Sequence, residues 1–84
     1  MAQVTPGQVR AARALLGWSQ LEAATASGLG VATLARLERS QVEPENSTIA
    51  AVVKAFEANG IVFIGEGELL GVAIVRTDGS SQIA

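Results

Sequence analysis

The sequence predicts a small, mainly α domain, with four short helices followed by a C-terminal β-hairpin. Three observations carry this. Apolar residues recur at spacings of three and four through residues 5–59. Capping and stop residues (Thr5-Pro6, Gly17, Ser19, Gly28 and Asn59-Gly60) cut that stretch into pieces of helical length. Beyond Gly60 the pattern turns β-branched and aromatic, in Ile61–Ile64 and again in Gly71–Arg76, around a Gly-rich stretch.

The first helix opens at Thr5-Pro6, because Thr caps well and proline's missing N–H is no loss at the first helical position. Val9, Ala12 and Leu16 form its apolar side, and Gly17 ends it. Ser19 and Glu22 make a capping box for a second helix that closes at Gly28. Leu21 and Ala24 are expected to face inward. A helix this short needs tertiary packing to persist. A third helix is expected over 31–39, burying Leu34 and Leu37. Residues 40–44 read as a loop, with Pro44 disfavouring helix in the residue before it. The fourth helix, from Asn46 to Ala58, carries the clearest amphipathic stripe in Ile49, Val52, Val53 and Phe56. The hairpin is expected over 60–76, with a loop of moderate length at Gly65–Glu68. Leu69 and Leu70 read as part of the connection, either packed beneath a strand or exposed to another subunit. Residues 77–84 read as a flexible tail. The whole forms one domain, whose helical core spans 5–59.

Composition narrows the function classes. With neither Cys nor His, there is no thiolate, no imidazole base and no disulfide. No metal, cofactor or catalytic residue is expected. Glu66 and Glu68 are read as a solvated turn and not as an acid pair. No apolar run reaches the roughly 18 residues of a membrane span, and the N-terminus lacks the pattern of a secretory signal. A cytoplasmic, non-enzymatic protein is therefore expected. Net charge is −2, but it is unevenly spread. Arg10, Arg13, Arg36 and Arg39 against Glu22 and Glu38 leave residues 1–39 at +2. Lys54 and Arg76 against Glu43, Glu45, Glu57, Glu66, Glu68 and Asp78 leave residues 40–84 at −4. The first half is the one suited to phosphate.

Two short helices joined by a tight Gly-containing turn make the bare pattern of a DNA-reading pair. Several residues sharpen it. Arg10 and Arg13, then Gly17-Trp18-Ser19-Gln20, Ala23-Ala24, Ser27-Gly28 and Thr33-Leu34-Ala35-Arg36-Leu37-Glu38 together resemble the lambda-repressor-like, or XRE, helix-turn-helix family. The resemblance covers roughly residues 8–58. It implies a four-helix lambda-repressor-like DNA-binding domain acting as a transcriptional regulator, here with an added hairpin.

The resemblance also implies roles. Val31, Ala32, Thr33 and Arg36 fall where the family reads base edges. Arg36 is the strongest of them, because a guanidinium can bond both acceptors of guanine. Gln20, Arg39, Ser40, Gln41 and Asn46 fall where phosphate contacts are expected. Arg13 and Glu38 match the family's structural ion pair. Gly30 departs from the usual Ser or Thr cap, Val31 and Ala32 from the usual polar residues, and the loop with Glu43 and Glu45 from a basic one. Few cations are therefore engaged, and modest affinity is expected. Trp18 is read as a hinge plug, and Arg10 as a solvated or phosphate-facing charge. A homodimer on a palindromic operator would multiply the contacts, with Ile61, Phe63, Val72 and Ile74 as the expected dimer surface. The competing reading keeps the fold but makes it a protein-interaction module, such as an antitoxin or anti-activator.

Overall fold

The computed structural model describes residues 4–39 and 46–75. The expected loop after the third helix, with Ser40 and Gln41, and the expected tail at 77–84 lie outside the described residues. The elements run α1 (Pro6–Leu16), α2 (Gln20–Ser27), α3 (Val31–Arg39), α4 (Asn46–Glu57), β1 (Ile61–Glu66) and β2 (Leu69–Ile74). This is the mainly α domain with a C-terminal hairpin that the sequence predicts.

The helix boundaries follow from the caps. The Thr5 hydroxyl accepts from the Gln8 N–H at 3.2 Å, and the Gln8 Oε1 accepts from the Thr5 N–H at 2.9 Å. The Ser19–Glu22 box repeats this at 3.0 and 2.7 Å. Gly17 and Gly28 close α1 and α2 in the left-handed conformation. Between α2 and α3, the Leu29 N–H returns to the Ala24 carbonyl at 2.9 Å. The Gly30 carbonyl then accepts the first bond of α3, from the Leu34 N–H at 3.1 Å.

One helical face is corrected. Leu21 does not face inward but is 63% exposed, while Ala23 and Ala24 are buried. Ser19 sets the phase of α2, and two residues at about 100° each carry Leu21 to the side opposite Ala23. With alanines on the inner face, α2 lies close against α3 and α4.

The core comprises Val9, Ala12, Ala23, Ala24, Leu34, Leu37, Val52, Phe56 and Ile61. Phe56 is its centre. The Trp18 ring stacks on it at 5.5 Å, and Phe63 meets it edge-on at 6.1 Å. One ring on α4 thereby joins the α1–α2 hinge to the hairpin, and Trp18 is the plug the sequence suggests.

The hairpin has a tighter turn than expected. Its register runs from Ile61 opposite Ile74 to Glu66 opposite Leu69, so Leu69 and Leu70 belong to β2. Only Gly67 and Glu68 form the turn. Gly67 has φ +59° and no non-glycine residue among the described residues has positive φ, which is the pattern of a type II′ turn. That turn suits the strands' twist, so pairing continues to its edge. At the other end Gly60 has φ +92°, and a Cβ there would meet the Val75 carbonyl at 3.0 Å. Only glycine fits this corner without strain.

Alternation along the strands turns the four residues expected at the dimer surface toward the helices. Ile61 pairs with Ile74 and Phe63 with Val72, so all four side chains lie on one face. That face covers the helices. Ile61 is buried, and Phe63, Val72 and Ile74 pack against the core. The opposite face, turned to solvent, carries Val62, Ile64, Leu69, Ala73 and Val75. Val62 is 46%, Leu69 69% and Val75 54% exposed.

Candidate nucleic-acid interface

α3 has two unlike sides. Leu34, Leu37 and Glu38 are buried, whereas Val31, Ala32, Arg36 and Arg39 are exposed. At 3.6 residues per turn the exposed four share one arc, with half-buried Ala35 among them. Ala35 was missed by the sequence reading, although its spacing from Val31 and Arg39 places it there. Thr33 is half-buried at the margin of this arc. Arg39 also donates to the Ala35 carbonyl, one turn back, at 3.5 Å. Asn46 is exposed at the start of α4.

The inner side of α3 is held by a charged clamp. Arg13 grips Glu38 with two donors, Nε to Oε2 at 2.7 Å and Nη2 to Oε1 at 3.1 Å. Its third donor, Nη1, reaches the Trp18 carbonyl at 3.1 Å. Gln20 Nε2 donates to Glu38 Oε1 at 3.0 Å. Arg10 Nη1 donates to the Glu38 backbone carbonyl. Arg10 is thus exposed but tethered, and its guanidinium meets one of the carbonyls left open at the end of α3. α1 and α2 therefore fix the depth and rotation of α3 through one carboxylate. Gln20 braces the clamp at the first residue of α2.

Burial pushes the Glu38 carboxyl up, but hydrogen bonds from Arg13 and Gln20 and the charges of Arg13 and Arg10 outweigh it. The net result holds Glu38 below its ordinary value of 4.5. The Arg13 guanidinium is raised, chiefly by its hydrogen bond to Glu38 and against the effect of burial. A carboxyl that ionises more readily folded than unfolded adds stability above its unfolded pKa. That stability is lost as pH falls through the folded value. The melting temperature is therefore expected to drop below about pH 4.5. Glu38→Gln should be less stable at neutral pH and lack this component of the acid transition; equal acid sensitivity in both proteins would locate the titration elsewhere.

A second buried polar residue, Gln8, was not singled out from the sequence. It is 5% exposed and reaches from α1 to the hairpin. The T-x-x-Q spacing from Thr5 marks it as a capping-box residue. Its contact with a segment more than fifty residues away has no sequence signal.

A helix-turn-helix family model matches residues 9–59, more than half of the chain. No curated protein matches it. No described helix is long and apolar enough to cross a membrane. The matched segment runs from within α1 past the end of α4 and includes the clamp and the exposed arc of α3, and the chain belongs to the XRE-like helix-turn-helix family of DNA-binding regulators.

Proposed function

We propose that this protein is a transcriptional repressor that binds a palindromic operator as a homodimer, with α3 in the major groove. The observation that carries the reading is the exposed arc of Val31, Ala32, Arg36 and Arg39 on a helix anchored from behind by the Arg13–Glu38 clamp. A rigidly held helix presents its guanidinium at a fixed depth, as base reading requires. Arg36 is assigned to guanine, Val31 and Ala32 to thymine methyls, and Thr33 to the margin of the base contact. Gln20, Arg39, Ser40, Gln41 and Asn46 are assigned to phosphates. The reading gives the protein no catalytic residue and no cofactor, and places it in the cytoplasm with its DNA.

DNA selection at two salt concentrations tests this. Arg36→Ala should lose about 1–3 kcal/mol of discrimination at one base position, roughly 5–150-fold in affinity. Arg39→Ala should weaken all sequences alike and reduce the salt slope by about one contact. If no fragment is retained at low salt, the DNA reading fails. Val31 and Leu21, 43% and 63% exposed at the starts of α3 and α2, would then favour the protein-interaction reading, as in an antitoxin or anti-activator.

The homodimer is assigned to the hairpin. Its solvent-facing apolar side, with Val62, Leu69 and Val75, belongs to a two-stranded sheet with open edges. Such an edge readily pairs with another strand. A single copy engages few cations, and a second doubles the phosphates met. Val62→Glu should halve the sedimentation mass while leaving helicity unchanged. A wild-type monomer at high concentration would remove the assignment.

A further inference from the structure

Gln8 does more than cap a helix. Its Nε2 donates at 2.9 Å to the Ile64 carbonyl on β1 and at 2.9 Å to the Gly71 carbonyl on β2. Ile64 and Gly71 face each other in the ladder, so one amide group grips both strands at one rung. The remaining packing of the hairpin on the helices is largely apolar, through Ile61, Phe63, Val72 and Ile74. Apolar burial is non-directional and tolerates sliding and rotation. Two hydrogen bonds from one buried amide do not, because they weaken steeply with angle.

The same helix holds α3. Arg13 lies about 7.5 Å further along α1 than Gln8, at 1.5 Å per residue, and it binds Glu38. Arg10, between them, binds the end of α3. α1 is therefore a short rod with the hairpin fixed to it at one point and the reading helix at another.

We propose that Gln8 is a positioning residue that sets the distance and angle between the two reading helices of the dimer, and hence the preferred spacing of operator half-sites. This rests on the hairpin-joined dimer proposed above. A second copy paired through the hairpin inherits whatever orientation the hairpin has on α1. With Gln8 in place that orientation is single. Without its two donors the hairpin keeps its apolar seat but can turn on it, and the reading helices take a range of separations.

Gln8→Glu isolates this role. A carboxylate retains the acceptor for the Thr5 N–H, since Glu serves in a capping box as Gln does, but it has no N–H for the two carbonyls. Gln8→Met, of similar length and without polar groups, is the second variant. Binding is measured to a single half-site and to paired half-sites separated by stepwise insertions of one base pair, with sedimentation mass and circular dichroism as controls. Wild-type protein should prefer one spacing by roughly tenfold over its neighbours, and both variants should flatten that preference to about twofold at unchanged dimer mass and half-site affinity. Equal loss at every spacing, with the preference retained, would reduce Gln8 to a stability role and overturn the proposal. A wild-type protein that is monomeric would overturn the dimer itself, and that failure appears before any variant is made. Should neither variant fold, the wild-type side chain still gives an answer. Its buried amide protons should exchange slowly with solvent in nuclear magnetic resonance spectra, and rapid exchange would show that the grip is absent.

Discussion

Arg13→Ala is expected to destabilise the protein by about 3–5 kcal/mol in urea denaturation at pH 7, because it strands a buried carboxylate. The Glu38 side chain is 3% exposed and that of Arg13 23%. After truncation Glu38 keeps the Gln20 amide but loses both donors of the guanidinium fork. It cannot regain water without moving α3. Burial already pushes its pKa upward, and with the arginine gone only Gln20 and Arg10 oppose that effect. The variant should therefore lose less stability than the wild type on mild acidification. Replacing both partners together, as Arg13→Met with Glu38→Leu, should cost clearly less than Arg13→Ala alone, since no charge is left behind. A loss in Arg13→Ala below about 1 kcal/mol would mean that Glu38 is hydrated and that the clamp does not hold α3.

Phe56→Ala should cost a similar 3–5 kcal/mol by opening a cavity at the centre of the core. At about 0.05–0.15 kcal/mol per residue, a chain of 84 residues has about 4–13 kcal/mol in total. At the low end of that range the loss equals the whole stability and the variant is unfolded, and at the high end it stays folded. Trp18, the single tryptophan, stacks on Phe56 and should report the loss directly. Its fluorescence is expected to shift toward that of an exposed indole before the helices melt. Phe56→Leu should retain much of the stability but not the stacked environment. An unchanged spectrum in Phe56→Ala would place the indole elsewhere.

Both sites were legible in the sequence to different depths. Arg13 and Glu38 were recognised as partners through a family resemblance, and Phe56 through the stripe of the fourth helix. The helix ends were legible because a cap is a local event, decided by residues within one turn of each other. Leu21 was misjudged because hydrophobicity was weighed above phase. In an eight-residue helix whose start is set by Ser19, geometry overrode the preference of one leucine. The hairpin strands are legible in the sequence, but their connection reads longer than it is. Gly65, Glu66, Leu69 and Leu70 look like loop residues, yet the type II′ turn at Gly67-Glu68 lets them pair.

The inward packing of the four residues expected at a dimer surface has the same origin. Ile61, Phe63, Val72 and Ile74 stood out as the strongest apolar residues of the hairpin, and for that reason the core took them. A one-residue shift in register would have exposed them and buried Val62, Ala73 and Val75 instead. Nothing local to the hairpin selects between these faces. The buried ring of Phe56 on α4 is met edge-on by Phe63, and that contact selects the face that carries Phe63.

The four helices and their order, the two strands, the helix-turn-helix frame and the uneven charge were thus determined by the sequence alone, since each rests on periodicity, capping or composition within a short window. The tertiary structure decided which hairpin face meets solvent, how Arg10, Arg13 and Gln20 converge on Glu38, and that Gln8 holds both strands. These are contacts between segments far apart in the chain, chosen by the packing of the whole core and by the cost of leaving buried polar groups such as Gln8 and Glu38 unpaired, and no local pattern records them.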